Sequence, residues 1–118
     1  MTLEQIMDQP YLSIVIPVYN EESNLEPLIQ RLYPVTQGTG KPFEIIFTND
    51  GSRDRSLVIL RQMVQNYPGV KVIEFNGNFG QHMAILAAFE KSRGKIVITR
   101  DADLQNPPEE IPRMISEI

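Results

Sequence analysis

The chain contains no cysteine and a single histidine, His82, among its 118 residues. Disulfides, thiol catalysis and cysteine-ligated metals are therefore excluded, and a multi-histidine zinc site has too few ligands. The net charge of −4 gives no basic surface of the kind that nucleic acids or anionic lipids require. No apolar run reaches the roughly 18 residues of a membrane span, and the first residues lack a signal-peptide pattern. These absences predict one globular domain in the cytoplasm that binds no nucleic acid.

Apolar, β-branched stretches alternate with amphipathic stretches along the chain. The sequence predicts strands at "LSIVIPV", "FEIIFTN", "VKVIEF" and "KIVITR", and helices at "SNLEPLIQRLY", at the segment after Asp54 and at "GQHMAILAAFEKSRG". This order predicts an α/β fold in which a mostly parallel sheet is flanked by helices. Residues 1–10 are interpreted as a lead-in, and residues 11–118 as the folded part.

Signals for helix ends accompany this pattern. Ser23 and Glu26 have the spacing of a capping box, Asp54 is placed to cap the second helix, and Gly94 is placed to end the third. The final stretch, "PPEEIPRMISEI", is typical of a helix that has just begun. It contains no C-cap residue, so we expect a longer protein that continues past Ile118.

Polar residues follow each of the four predicted strands. Because parallel sheets bind ligands beyond the carboxyl ends of their strands, these residues predict a single site there. They are Tyr19, Asn20 and Glu21 after the first strand, Asn49 and Asp50 after the second, Asn76 and Asn78 after the third, and Asp101 and Asp103 after the fourth.

The acidic turn "DADLQNPPEE" follows the fourth predicted strand. If the strand geometry continues through it, Asp101 and Asp103 project to the same side. Two carboxylates so close repel each other unless a cation lies between them, and hard oxygen ligands suit Mg²⁺ or Mn²⁺ with a bound diphosphate. The alternative interpretation is a polar loop that happens to be acidic.

The segment "NDGSRD" also permits two interpretations. Asp-Gly favours a turn, with Asp54 as a helix cap. The carboxylate of Asp50 is a strong acceptor, which predicts contact with a base that presents an N–H, such as uracil or guanine. Gly77 and Gly80 do not form a dinucleotide fingerprint. Asn76, Asn78 and Gln81 could offer amide contacts, and His82 is interpreted as an ordinary polar residue of a first helical turn.

Together these motifs resemble the inverting family 2 glycosyltransferases of the GT-A fold. "IVIPVYNEE" is similar to the family's opening strand and turn, and "NDGSRDRS" to its Asp-Asp-Gly-Ser segment. The combination of "NFGQH" with "DADLQNPPEEIP" resembles the polyprenyl-phosphate sugar transferases, which include the dolichyl-phosphate mannose synthase type and bacterial undecaprenyl-phosphate enzymes. The resemblance runs from about Leu12 to the last residue.

The resemblance implies a donor site for a nucleoside diphosphate sugar, with UDP favoured over GDP. It implies that Asp101 lies near the ribose and diphosphate, and that Asp103 ligates Mg²⁺ or Mn²⁺ with help from Asp101. The other implied donor contacts are Pro17, Tyr19 and Glu21 around the nucleotide, Asp50 at the base, the Ala102 backbone, and Gln105 just past the signature. The sugar would pass to a polyprenyl phosphate, such as undecaprenyl phosphate, with inversion.

Two residues depart from the family pattern. Asn49 stands where the family commonly has an aspartate, which predicts altered rather than lost base binding. Arg100 replaces a usual apolar residue, and it is predicted to pair with Asp101, to meet a phosphate or to be exposed.

The resemblance also implies that the acceptor site and the catalytic residues lie beyond position 118. We therefore expect this chain to bind donor nucleotide without turnover, in a parent that works at the cytoplasmic face of a membrane. The alternative is a non-catalytic nucleotide-binding or assembly module. A phosphatase that uses the Asp-x-Asp motif is excluded because Gln105 and the fourth strand do not fit its pattern. An open edge at "KIVITR" predicts a homo-oligomer.

Overall fold

Four parallel strands form the centre of the structure, a computed structural model that describes residues 9–103 and 106–116. They are β1 (Leu12–Val18), β2 (Phe43–Asn49), β3 (Val70–Glu74) and β4 (Ile96–Thr99), in the order β3-β2-β1-β4. Every pairing is parallel, which confirms the predicted sheet. β1 and β2 are central and almost wholly buried, which explains why their sequences are continuously apolar.

The helices cover the two faces of this sheet unequally. They are α1 (Glu22–Gly38), α2 (Ser56–Asn66), α3 (Gln81–Lys91) and α4 (Ile111–Ser116), the last preceded by a 3₁₀ turn at Pro108–Glu110. Apolar residues of α1 and α2 form the main core with one face of the sheet, whereas Ala88 of α3 packs on the other face. No helix within the described ranges is long and apolar enough to cross a membrane.

Two of the predicted helix caps are wrong. The N-cap of α1 is Glu21, without a side-chain cap bond, so Ser23 and Glu26 do not form a capping box. The same helix runs through Pro34 and ends at Gly38. α3 ends at Lys91, and Gly94 is not its cap.

Gly94 has a different role, at the start of the neighbouring strand. A Cβ atom on this residue would lie 2.6 Å from Ser13 Oγ, closer than non-bonded atoms approach. The Gly94 N–H donates to the same oxygen at 2.8 Å. Glycine is therefore required by the close packing of this turn against β1, a contact between residues distant in sequence.

A buried carboxylate joins the strands near their amino-terminal ends, which together form the amino edge of the sheet. Glu44, only 2% exposed, accepts hydrogen bonds from Ser13 Oγ at 2.6 Å, from the Arg93 N–H at 2.6 Å and from Lys71 Nζ at 2.8 Å. Burial opposes its charge, but the hydrogen bonds from Lys71, Ser13 and Arg93 prevail and lower the pKa of Glu44. The carboxylate thus links β2 to β1, to β3 and to the turn before β4.

Candidate functional site

A cavity of about 570 Å³ opens at the carboxyl edge of the sheet, where the loops after all four strands meet. Its lining contains seven of the eight site residues predicted from the sequence; the eighth, Gln105, lies outside the described residues. The lining residues are Pro17, Val18, Tyr19, Glu21, Asp50, Asn78, Gly80, Gln81, Asp101, Ala102 and Asp103. The sheet therefore brings together residues that are up to 86 positions apart in sequence, from Pro17 to Asp103.

The loops that follow β1 and β2 are joined by hydrogen bonds to each other. The Asn20 N–H donates to Ser52 Oγ at 2.9 Å, and Asn20 Oδ1 accepts from the Arg53 N–H at 2.8 Å. The Glu21 N–H donates to Ser56 Oγ at 2.9 Å. Asn20 adopts a positive φ of 54°, a conformation that asparagine tolerates better than most residues. These contacts fix the backbone that carries the neighbouring Tyr19 and Glu21 side chains at the cavity.

Asp54 is a structural residue, although it is not the N-cap. Arg55 occupies the N-cap position of α2, and Asp54 Oδ1 accepts from the N–H of Ser56, the first helical residue, at 2.9 Å. Its other oxygen accepts from the Glu22 N–H at 3.2 Å, at the start of α1. Burial raises the pKa of Asp54, but hydrogen bonds from Ser56 and Glu22 outweigh this and lower it. One carboxylate thus joins the starts of two helices.

Asp50 holds the loop between β3 and α3. It is 3% exposed, and its carboxylate accepts from the Phe79 N–H at 2.7 Å, the Gly80 N–H at 3.0 Å and Asn78 Nδ2 at 3.1 Å. A carboxylate at the start of a helix is favoured by the helix dipole. Three of its roughly four acceptor positions are occupied by protein donors, so contact with a base stays a prediction for the remaining one.

The turn at Gly51 explains how these loops approach one another. Gly51 has a φ of +71°, and a Cβ atom on it would lie 2.4 Å from the carbonyl carbon of Gly77. Only glycine meets both requirements, a left-handed conformation and contact with another backbone. The Asp-Gly pair that predicts a turn therefore also brings the β2 loop against the β3 loop.

The acidic turn borders the cavity without being an extension of the strand. β4 ends at Thr99, so the strand geometry does not continue through the two aspartates, and the condition under which they would project to the same side is not met. Asp101 is exposed and its Oδ1 accepts from Gln81 Nε2 at 3.4 Å, whereas Asp103 is half-buried.

The acidic turn supplies a limited set of metal ligands. The described residues contain no cluster of three or more His, Cys, Asp or Glu side chains that would enclose a metal alone. Two carboxylates on an open cavity fit a different arrangement, in which Mg²⁺ or Mn²⁺ keeps waters and substrate phosphates in its remaining positions.

Comparison with known proteins identifies the family. Residues 13–118 match Glycosyl transferase family 2. The chain belongs to this family. Undecaprenyl-phosphate 4-deoxy-4-formamido-L-arabinose transferase of Pseudomonas paraeruginosa is 52% identical over 105 residues, which are 88% of this chain and 31% of that protein. The enzyme of the same name from Edwardsiella ictaluri is 50% identical over 107 residues, or 89% and 33% of the two chains. The chain thus spans about a third of the length of these relatives.

Solved structures confirm the GT-A fold. The mannosyltransferase PcManGT from Pyrobaculum calidifontis, determined with GDP-Man and Mn²⁺, superposes with a TM-score of 0.75 at 21% identity and covers 91% of this chain and 32% of its own. Residues 1–349 of S. aureus TarS, determined with UDP-GlcNAc, give 0.71 at 24% identity, covering 90% and 30%. Both matches concern the fold, and their ligands are those of the neighbours.

Arg100 differs from what the family resemblance predicts. The residue is buried, at 8% exposure, so exposure, one of the three alternatives predicted for it, is wrong. The guanidinium donates to three backbone carbonyls of the acidic turn, with the shortest contact of 2.7 Å to Asn106 O. Burial lowers the pKa of Arg100, and the charges of Asp103 and Asp101 oppose that shift.

A second cavity of about 380 Å³ lies beside the first and shares Tyr19 and Asn78 with it. Asn49, the other departure from the family pattern, lines this second cavity rather than the larger one. The residue is 2% exposed, and its Oδ1 has no hydrogen-bond partner among the described residues. Asn49, the last residue of β2, and Asp50, which follows the strand, thus line different cavities.

Two lining residues of the larger cavity were missed from the sequence, Val18 and Gly80. A search for polar side chains overlooks them. Gly80 has a φ of +99° and precedes α3, so its position before a helix was the available signal.

Proposed function

We propose that this chain is the donor-binding part of a glycosyltransferase that moves a sugar from a nucleoside diphosphate to a polyprenyl phosphate, such as undecaprenyl phosphate, with inversion. The observation that carries the proposal is the cavity of about 570 Å³ onto which all four strand loops bring predicted donor residues. The names of the relatives that are half identical to the chain support the class of acceptor. Uridine diphosphate is the proposed leaving group, with guanosine diphosphate as the alternative.

The acidic turn would hold the diphosphate end of the donor. Asp103, with Asp101, supplies carboxylate oxygens for Mg²⁺ or Mn²⁺, and such an ion supplies charge neutralisation for a departing diphosphate. The Ala102 backbone lies between these residues, and Gln105 follows them. A GT-A neighbour determined with Mn²⁺ supports a divalent ion for the fold in general.

The opposite part of the cavity would hold the nucleoside. Tyr19 is 44% exposed, which leaves its ring face accessible for stacking on a base. Asp50 would accept an N–H of the base at its remaining acceptor position, and Pro17 and Glu21 would border the nucleotide. Asp50 is hydrogen-bonded to the loop between β3 and α3. Disorder of that loop would therefore weaken recognition of the base.

The acceptor site and the catalytic residues would come from further sequence of a longer protein at the cytoplasmic face of a membrane. Residues 11–118 alone would bind donor without transferring sugar. β4 pairs with β1 and, within the described residues, with no other strand. We propose that its free side permits association of two copies in the isolated chain.

Calorimetric titration with UDP and with GDP, each with and without Mn²⁺, tests the proposal. Asp103→Asn should remove the manganese-dependent part of the affinity, because the variant keeps its shape but loses a charge. The matched control is Glu90→Gln, an exposed carboxylate on α3 away from the cavity lining. Absence of binding by the folded chain, or binding that Asp103→Asn leaves unchanged, would contradict the proposal.

A further inference from the structure

We propose that Arg100 is a positioning residue that fixes the backbone of the acidic turn before any metal or nucleotide binds. Its guanidinium reaches three carbonyl oxygens of that turn. The consequence for ligands rests on the proposed function, whereas the effect on the turn does not. An apolar residue at this position, as in the family pattern, could fill the same space but could donate to none of these carbonyls.

The contacts involve three described residues of the turn. Arg100 Nε donates to Asp101 O at 3.3 Å, and Nη2 donates to Asp103 O at 3.4 Å and to Asn106 O at 2.7 Å. Arg100 therefore joins the part of the turn that carries both aspartates to the part that leads into the 3₁₀ turn. The planar guanidinium has five donors in a fixed arrangement, which suits several carbonyls at once better than a lysine ammonium does.

Burial of this side chain requires a defined geometry. Arg100 as a whole residue is 8% exposed, so its side chain has little contact with water and its donors must be satisfied by the protein. Its positive charge also lies near the negative charges of Asp101 and Asp103. That charge reduces the repulsion between the two carboxylates when no cation is bound to them.

Residues on both sides of the turn also contact other elements. The Arg100 N–H donates to Val15 O at 3.1 Å, which holds its backbone against β1. Beyond the turn, Glu109 accepts from Arg31 of α1 through both carboxylate oxygens, with a shortest contact of 2.9 Å. The guanidinium of Arg100 therefore acts on a segment that is also held outside the turn, through the Arg100 backbone and through Glu109.

NMR order parameters of the metal-free chain test this inference with the variants Arg100→Met and Arg100→Lys. The Asp101–Asp103 amides should be near the rigid value of about 0.85 in the native chain and should fall below about 0.6 in Arg100→Met. Arg100→Lys should give an intermediate loss, because it keeps the charge but not the planar set of donors. The control is Arg93→Met, which removes an exposed arginine side chain at the other end of β4.

Two results would overturn the inference: a turn as rigid in Arg100→Met as in the native chain, or an equal loss of order throughout β1 and β2. If Arg100→Met fails to fold, hydrogen exchange of the arginine Nε–H groups in the native chain tests whether Arg100 is held by the turn. Arg100 Nε–H should exchange about tenfold or more slowly than that of the exposed Arg93. Equal exchange rates would contradict the inference.

Added ligands separate this inference from the proposed function. The diamagnetic ion Mg²⁺ with UDP should restore order to the turn of Arg100→Met if both proposals hold. A rigid native turn that loosens in Arg100→Met, combined with no response of either chain to Mg²⁺ and UDP, would support the role of Arg100 and contradict the proposed function.

Discussion

The two edges of the sheet use carboxylates in opposite ways. At the amino edge, Glu44 is buried and accepts hydrogen bonds from a hydroxyl, a backbone N–H and a lysine ammonium. At the carboxyl edge, Asp101 is exposed, Asp103 is half-buried, and both border a cavity of about 570 Å³. Acidic residues at the end of a strand are therefore not sufficient to identify a ligand site. Whether the carboxylate is buried among protein donors or borders an open cavity decides whether it can contact a ligand.

The carboxyl edge itself divides into supporting and lining groups. Asp54 accepts backbone N–H groups from the starts of two helices, and Asp50 accepts them from the loop before α3. These two supporting carboxylates accept backbone N–H groups and so hold the loops in place. The side chains of Asp101 and Asp103 border the cavity that those loops form. Substitutions at the amino edge should therefore change stability alone, whereas substitutions in the supporting loops should change stability and donor binding together.

Gly51→Ala should have the largest effect. The new Cβ would be 2.4 Å from a backbone carbon of Gly77, and the residue would keep a φ of +71°. Strain and overpacking together predict a loss of about 3–5 kcal/mol in the free energy of unfolding. Urea denaturation measures this loss, and titration with UDP and Mn²⁺ should show that binding is lost because the β2 and β3 loops separate.

Gly40→Ala is the matched control for this substitution. Gly40 has the same φ of +71°, but no atom lies within 4 Å of an added Cβ. The variant should lose only the conformational term, about 1 kcal/mol, and should bind nucleotide as the native chain does. Equal losses in the two variants would show that the contact with Gly77 is unimportant.

Glu44→Ala should have the next largest effect, on stability alone. It leaves the Arg93 N–H and the Ser13 hydroxyl without their acceptor in a buried place, which predicts a loss of about 2–4 kcal/mol. The comparison is Glu74→Ala, whose partner Arg61 is exposed and whose loss should be below about 1 kcal/mol. Denaturant unfolding gives both values. If folded Glu44→Ala bound UDP with lower affinity than the native chain, the prediction that the amino edge affects stability alone would be wrong.

The sequence predicts the sheet because β1 and β2 are buried on both faces, which makes their apolar pattern continuous. It also predicts most of the cavity lining, since parallel strands end at one edge and polar residues there must meet. The roles of single residues were harder to predict. Arg100 was not expected to be buried, because nothing local in the sequence indicates that three carbonyls surround its guanidinium.

The failed capping box has the same physical origin. Ser23 and Glu26 have the right spacing, but the N–H groups at the start of α1 are satisfied by Ser56, the first residue of α2, and by Asp54, two residues before it. Those acceptors are more than 30 positions away in sequence. Short-range patterns therefore predicted elements well and predicted helix ends poorly, because distant side chains compete for the same backbone groups.

Acid should lower the free energy of unfolding in part by protonating Glu44, and Glu44→Gln should remove that part of the pH dependence. The pKa of Glu44 is lowered in the folded chain, so its contribution to stability is complete above the unfolded value of about 4.3 and is lost as pH falls through the folded value. Unfolding free energies from pH 7 to pH 3 should therefore fall less steeply in Glu44→Gln. The slope that remains should include Asp54, whose pKa is also lowered. Parallel curves for native and variant chains would contradict this assignment.

Ser52→Ala should give the smallest effect, and it tests whether the supporting loops matter for binding. The substitution removes the acceptor of the Asn20 N–H at a partly exposed position, which predicts a loss of about 0.5–1.5 kcal/mol in stability. Because this bond fixes the backbone beside Tyr19, the affinity for UDP should fall by a similar free energy. Ser92→Ala is the control, since its hydroxyl bonds Phe89 O at the end of α3 remote from the cavity lining. If both variants lose stability equally and neither loses affinity, the β1 and β2 loops hold the fold together without shaping the donor site.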